Sequence, residues 1–350
     1  MCNTRCCTFF VWQGFCYDEK MKIETNFPLA SITSFKLGGP AKFYLQTSSP
    51  EEVVSAILFA KEKKLKYYIL GGGSNTVFND KGFDGLVIHF TGRKLNSENF
   101  EFIGSKVVLS ASLNWHEVVK KLASLGLAGT EKMSAIPGNV GGFVVGNAGA
   151  YGQFIGDLID WVEIFDGNEV RKIKKIDCKF GYRDSIFKKK NWLVLSVCLK
   201  LKEGLPANRA GDKAKLQKEV KDISKLRWAK FGEHPICAGS FFKNVEIKKV
   251  PKKTLTQIDS TKIIDGKISV GYLIGESLAR EEVSPQGARG LSSSRVAKSG
   301  IYIAPFHNNF LMNDGTGKTS DLIKLAGKIK QSVKKKFGIE LEEEVRYILG

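Results

Sequence analysis

Apolar and polar positions alternate along the chain in a way that predicts a mixed succession of helices and strands. Ala41–Thr47 reads as a strand. Ser49-Pro50-Glu51-Glu52 then supplies a helix start: a serine cap, proline in the first turn and acids at the positive end. Val53, Val54, Ile57, Leu58 and Ala60 keep helical spacing up to Lys64. Tyr67–Leu70 predicts a strand, followed by the turn Gly71-Gly72-Gly73-Ser74-Asn75 and a further strand over Gly85–Phe90. Lys106–Ser112 is strand-like, and Asn114 caps a predicted helix through Trp115, Val118, Val119, Leu122 and Leu125 that stops at Gly126. Trp161–Phe165 and Trp192–Leu201 predict strands, the second placing Leu193, Leu195, Val197, Leu199 and Leu201 on one face. Leu205–Gly211 reads as a linker ahead of a basic helix over Asp212–Arg227, and a third part starts near Pro235. Thr319–Phe337 has Leu322, Ala326, Ile329, Val333 and Phe337 on one helical face, with Gly338 as its stop. The tail Leu341–Leu349 alternates as a strand, Val345, Tyr347 and Leu349 to one side and Glu344 and Arg346 to the other. No internal repeat is visible.

One stretch obeys neither period. Ser134–Gly152, SAIPGNVGGFVVGNAGAYG, has six glycines and a proline and no charge. A solvated loop is normally polar and a core helix or strand does not carry so many glycines, so the expectation is a segment where backbone approaches a flat or bulky ligand. The amides of Gly138, Gly141 and Gly142 are then placed to meet phosphate or carbonyl oxygens. A tight helix–strand crossing packed on glycine is the competing explanation. Favouring a ligand is the second amide-rich turn, Gly71–Asn75, which ends a β-α-β start in the layout of an anion site. It lacks the GxGxxG spacing of a dinucleotide fold. Likewise Gly315-Thr316-Gly317-Lys318-Thr319 is not a P-loop, since Met312 stands where that motif needs glycine.

Composition adds a charge. The 350 residues are 43% hydrophobic and 26% charged, as in a soluble globular protein of two or three domains, yet carry a formal net charge of +18. Lysine runs such as Lys188-Lys189-Lys190 and Lys334-Lys335-Lys336 supply much of it and read as solvated faces. No arginine-rich patch with interleaved aromatics points to nucleic acid; the positive field suits small polyanionic substrates. Four cysteines fall in the first sixteen residues, and Cys178, Cys198 and Cys237 are scattered. With no CxxC pair and dispersed histidines, no metal is expected, and the usage fits a reducing cytoplasm. Cys6–Tyr17 faintly imitates a signal peptide without a cleavage site; residues 1–20 read as a disordered extension or as sequence upstream of a start at Met21. No apolar run approaches the roughly 18–20 residues that span a bilayer.

Between two strands lies a polar turn, Phe180-Gly181-Tyr182-Arg183-Asp184-Ser185, that packing does not explain. Taken with Thr33–Gly39, Gly71–Asn75 with Asp80, Ile136–Tyr151, Gly181–Phe187, Gly239–Asn244, His307–Asn313 and Leu341–Arg346, it resembles the UDP-N-acetylenolpyruvoylglucosamine reductase (MurB) family over about Ile32–Ile348. The resemblance implies an α+β fold: a two-subdomain FAD-binding module of the PCMH/vanillyl-alcohol-oxidase type plus a C-terminal α/β substrate-binding domain. It places FAD-binding subdomains at 21–92 and 93–210, the substrate-binding domain at 211–340 and a catalytic C-terminal strand at 341–350. It further implies a cytoplasmic, monomeric flavoenzyme of peptidoglycan precursor synthesis, using NADPH and FAD to reduce UDP-N-acetylglucosamine enolpyruvate to UDP-N-acetylmuramate, without nucleic-acid or membrane partners.

The same resemblance assigns residues. Gly72, Gly73, Ser74 and Asn75 would receive the flavin pyrophosphate, and Ile136, Pro137, Gly138, Gly141, Gly142 and Asn147 would line the flavin. Ser240 would be the proton donor, with Arg183 and Glu344 polarising the carboxylate and stabilising the enol. Tyr182, Lys243, Asn244 and Glu276 would contact the substrate. The chain departs from the family over Trp228–His234, which leaves Arg227 without a role, and most over Ser269–Arg295. Two other readings stay open: another FAD oxidase of the same fold, acting on alcohols or sugars, and a basic binding protein without activity.

Overall fold

The computed structural model describes residues 11–12, 15–16, 21–92, 94–103, 106–203, 210–232, 235–278 and 300–349. The chain divides into two compact units: 1–27, 41–72 and 84–224 form the first, and 28–40, 73–83 and 225–350 the second. This cuts across the expected boundaries. Two pieces expected in the first subdomain, Pro28–Pro40 and Gly73–Phe83, join the C-terminal residues, and no third unit separates at 92.

The two larger sheets lie in the first unit. One has four strands in the order Glu24–Pro28, Pro40–Thr47, Phe83–Phe90, Tyr67–Leu70, the last two parallel with Tyr67 opposite Leu86. The other has five antiparallel strands in the order Val170–Lys174, Ile159–Phe165, Leu193–Lys200, Lys106–Ser110, Phe100–Ile103. Helix α1 (Pro50–Glu62) begins as expected, the Ser49 side chain accepting from the Glu52 amide at 3.1 Å. Its apolar residues Val53, Val54, Ile57 and Ala60 are buried in one core with Leu45, Leu86 and Ile88. Helix α2 (Trp115–Ser124) is capped by Asn114, which accepts from Glu117 N at 3.2 Å.

Two expectations are corrected here. The glycine-rich stretch contains a helix after all, α3 (Val140–Gly146), closed by Asn147 in the left-handed region at φ 42°. Its Val140, Phe143 and Val144 enter the core, which offsets the poor helix propensity of its glycines. The strand expected over Trp192–Leu201 runs Leu193–Lys200, but its register with Ile159–Phe165 shifts between Glu163 and Ile164. The strand is also covered on both faces, with Val194 and Cys198 buried as well as Leu193, Leu195, Val197 and Leu199. Of residues 1–20, Val11–Trp12 and Phe15–Cys16 are described and pair antiparallel; the expectation of a disordered extension otherwise falls outside the described residues.

The basic helix α4 (Ala210–Phe231) is longer than expected at both ends. In the second unit, α5 (Val270–Ser277) and α6 (Thr319–Phe337) share a core with Phe241, Phe242, Ile301 and Leu311. Asp80 caps α6 from far away in sequence: its carboxylate accepts from Thr319 N at 2.7 Å and Ser320 N at 3.0 Å, while Thr319 Oγ1 donates to Phe78 O at 2.6 Å. Gly338 closes α6 at φ 67°, as the sequence predicts. The tail is a strand only over Arg346–Ile348, paired parallel with Thr76–Phe78. Before that, the Glu344 amide donates to Phe241 O at 2.7 Å and Lys243 N to Glu342 O at 2.9 Å. One predicted strand is thus shared between two partners. Among the described residues no helix is long and apolar enough to cross a membrane.

Candidate active site

In the first unit the two glycine-rich segments meet backbone to backbone. A Cβ on Gly72 would lie 2.9 Å from the Gly138 Cα, so any side chain there would force the segments apart. Gly142 and Gly146, four residues apart, share one face of α3, and Gly138 lies just ahead of its first turn. A Cβ on Gly142 or Gly146 would meet nothing within 4 Å. That face is therefore bare backbone beside open space, a surface on which a planar ring system can lie. Gly141 differs. Its amide donates to Ala111 O at 2.9 Å and a Cβ there would press on Ala111 at 3.0 Å, so its amide is taken by packing against the end of the interior strand Lys106–Ser110 rather than offered to a ligand.

Asn147, at the end of α3, joins this face to the polar turn. Its Nδ2 donates to Gly181 O at 2.8 Å, and its Oδ1 accepts from Gly156 N at 3.0 Å. Arg183 sits in that turn at φ 53°, unusual for a residue with a long side chain. Its Nη1 donates to Gly149 O at 3.1 Å, and Lys188 Nζ donates to its own carbonyl at 2.5 Å. Gly149 O thus holds the guanidinium, while Lys188 and Asn147 fix the backbone of the turn that carries it. Tyr182 beside it is half-buried.

At the start of α2, His116 accepts the Ala135 amide on Nδ1 at 3.1 Å, fixing the tautomer with its proton on Nε2. Burial, with Lys120 adding, pushes this imidazole below its ordinary value. Ser134 Oγ and Ser224 Oγ, 2.8 Å apart, tie the same stretch to α4.

In the second unit the remainder of the turn, Gly73–Asn75, is fixed by the Thr33-Ser34 segment. Gly73 has φ 65°, and a Cβ would lie 2.1 Å from Ile32 O, so only glycine fits. Ser34 N donates to Gly73 O at 3.1 Å, and Ser34 Oγ lies 2.7 Å from Cys237 O, three residues before Ser240. Asn75 Nδ2 donates to Glu344 O at 2.9 Å, and Arg346 N to Asn75 O at 2.9 Å.

Ser240 is exposed and is followed by two phenylalanines that are fully buried. Its backbone bridges Phe310 on one side, while Phe241 and Phe242 pair with Glu344 and Glu343 on the other. Of the residues expected at the site, Ser240, Glu344 and Asn75 are therefore brought together in one hydrogen-bonded ladder. Arg183, Tyr182, Asn147 and Gly138 belong to the first unit. Lys243 Nζ bonds the Glu342 carboxylate. Asn244 Oδ1 accepts from Val270 N at 3.1 Å at the start of α5, and the Glu276 carboxylate lies 3.3 Å from Lys336 Nζ. Of the atypical stretch Ser269–Arg295, residues 279–295 lie outside the described residues.

Sequence reasoning assigned no role to Asn309, which is 2% exposed and bonds the Phe242 backbone in both directions. A buried asparagine in the run His307-Asn308-Asn309-Phe310 is the signal that could have found it.

Residues 41–171 match the family described as FAD binding domain, and residues 233–348 the family described as UDP-N-acetylenolpyruvoylglucosamine reductase, C-terminal domain. The UDP-N-acetylenolpyruvoylglucosamine reductase of Solibacter usitatus is 33% identical over 329 residues, covering 94% of this chain and 97% of that protein. The protein of the same name from Carboxydothermus hydrogenoformans is 32% identical over 327 residues, 93% of each. Among solved structures, UDP-N-acetylenolpyruvylglucosamine reductase from Thermus caldophilus has a TM-score of 0.64 at 24% identity, covering 94% of this chain and 98% of that one. At that identity it bears on the fold alone.

Proposed function

Because this chain belongs to the UDP-N-acetylenolpyruvoylglucosamine reductase family, we propose how its own residues share the work of that activity. It is an FAD-dependent oxidoreductase that reduces UDP-N-acetylglucosamine enolpyruvate with NADPH in peptidoglycan precursor synthesis. The observation that carries the assignment of residues is the ladder that joins Ser240, Glu344 and Asn75.

The residues present fit FAD. The bare α3 face and the close pass of Gly72 on Gly138 leave backbone where a flat ring and its pyrophosphate need it. Gly72–Asn75 would hold the pyrophosphate, and Ile136, Pro137, Gly138, Gly142 and Asn147 the ring, with Gly141 fixing the helix beneath. When bound, FAD would supply hydride chemistry there, linking NADPH to the methylene carbon of the enolpyruvyl group. Negative charge then develops on the substrate's carboxylate side. The Arg183 guanidinium, held by Gly149 O and by the turn, stabilises it, and Glu344 polarises the same group. Ser240 Oγ–H delivers the proton to the carbon beside the carboxylate, which leaves the saturated lactyl ether.

Tyr182, Lys243, Asn244 and Glu276 contact the sugar nucleotide in this reading, Lys243 exchanging Glu342 for a phosphate oxygen. The buried, free thiols of Cys178, Cys198 and Cys237 support a reducing, cytoplasmic setting for an enzyme acting as a monomer.

Rapid mixing, following flavin absorbance, tests the assignment. Ser240→Ala should keep NADPH-driven reduction and slow reoxidation by the enolpyruvyl substrate by about 10²–10⁴-fold. Reoxidation at the wild-type rate would move the proton donor elsewhere. Reduction by an alcohol or sugar instead would favour the oxidase reading.

A further inference from the structure

Ser240 is exposed, yet the backbone that carries it is not free to move. Phe241 N donates to Asn309 O at 2.8 Å. Phe242 N donates to Asn309 Oδ1 at 2.9 Å, and Asn309 Nδ2 donates to Phe242 O at 2.8 Å. One amide side chain thus satisfies both backbone groups of Phe242, as a neighbouring strand would, at a place where the chain has already turned toward Phe310. Asn309 is itself oriented: its amide donates to His307 Nδ1 at 3.1 Å, and Phe310 N donates to His307 O at 2.9 Å. The far side of Phe241 is held by the Glu344 amide at 2.7 Å. The two residues proposed to finish the reaction therefore hang from a short backbone segment that is gripped on its other edge by Asn309.

We propose that Asn309 is a positioning residue for the protonation step: its bidentate hold on Phe242 fixes the height and direction of Ser240 relative to Glu344. This rests on the assignment of Ser240 as proton donor. The physical reason is one of tolerance. A proton transfer that requires heavy atoms within hydrogen-bond reach loses rate steeply with small displacements. Phe242 is buried, so without Asn309 its N–H and C=O would have no water to turn to, and the segment would shift to satisfy them. Asparagine suits this task because its amide donates and accepts at once; aspartate would keep the bond from Phe242 N and set a carboxylate against Phe242 O.

Asn309→Ala removes both side-chain bonds; Asn309→Asp is nearly isosteric and tests the same bond if the alanine variant folds poorly. Both are compared with Ser240→Ala, with Asn308→Ala as a control, since Asn308 donates to Gly271 O and not to the Ser240 segment. The expected result is flavin reduction by NADPH within about twofold of wild type and reoxidation by the enolpyruvyl sugar nucleotide slower by about 10–100-fold. The loss should fall on the maximal reoxidation rate rather than on the substrate concentration for half-saturation, with a larger solvent deuterium isotope effect. Backbone amide exchange over residues 240–243 should quicken. Ser240→Ala/Asn309→Ala should be no slower than Ser240→Ala, because Asn309 acts only through Ser240. Wild-type reoxidation in both Asn309 variants, with Ser240→Ala slow, overturns the proposal. So do equal losses in both half-reactions accompanied by a lower Tm in Asn309→Asp, which would make Asn309 a packing residue. Wild-type reoxidation in Ser240→Ala overturns the serine assignment on which the proposal stands, and is read separately.

Discussion

The side-chain amide of Asn75 donates to the main-chain carbonyl of Glu344 at 2.9 Å, across 269 residues of sequence. One end of the glycine turn proposed for the cofactor and the carboxylate proposed for the substrate are thereby parts of one structure. Asn75→Ala should both weaken flavin retention and slow reoxidation by about 2–12-fold, the order expected for losing one hydrogen bond of about 0.5–1.5 kcal/mol. Flavin content and reoxidation rate are measured on the same preparation. A loss of flavin with full reoxidation speed in the loaded fraction would show that the bond does not serve Glu344.

Two glycines should respond in opposite ways to alanine. Gly73→Ala forces a Cβ against Ile32 O in a left-handed backbone, so it should lower the Tm of the flavin-free protein by several degrees. Gly142→Ala adds a methyl in open space on a helix and should raise apoprotein stability by up to about 1 kcal/mol. It should weaken FAD binding all the same, because the methyl stands on the face assigned to the ring. Thermal melts and flavin titration together decide this, and undiminished FAD affinity in Gly142→Ala would take the ring off that face.

Stability should fall as the solution is acidified. His116 and His307 are both held below the ordinary imidazole value, chiefly by burial, with Lys120 and Lys230 adding respectively. The unfolded chain therefore takes up protons that the native state does not, starting near the ordinary value of about 6.5. The stabilisation is complete above that pH and is lost as pH drops through the folded values. His116→Asn keeps an acceptor for Ala135 N and cannot titrate, so its Tm should decline less between pH 7.5 and 5. An unchanged slope would remove His116 from the account.

Asp80 gives α6 two hydrogen bonds and a negative charge at its positive end. Asp80→Ala should cost about 1–2 kcal/mol in chemical denaturation, and Asp80→Asn less, since an acceptor is kept. Equal stability of all three forms would show that water caps the helix as well.

How much of this was legible in the sequence follows the range of each interaction. Ser49 with Pro50, Asn114 and Gly338 mark helix ends because capping is settled within four residues. The motifs around Ser240 and Glu344 could be picked out, but not that their backbones pair, since no local pattern encodes a partner a hundred residues away. α3 was missed because glycine content argues against helix, and burial of Val140, Phe143 and Val144 overrides it. The tail was expected as one strand because its alternation is continuous; only the fold shows that Phe241–Lys243 and Thr76–Phe78 divide it. The membership of Pro28–Pro40 in the second unit has no compositional mark at all.

The parallel pairing of Thr76–Phe78 with Arg346–Ile348 sets a clock on biosynthesis. A ribosome adds roughly 5–20 residues per second. The strand at 76 thus waits many seconds for its neighbour, and the turn before it stays without its Asn75–Glu344 tie until nearly the whole chain has emerged. The first unit can gather its core meanwhile, because its segments end at residue 224. Full flavin loading is then an event that follows translation, and nascent chains arrested before residue 346 should bind the cofactor weakly or not at all.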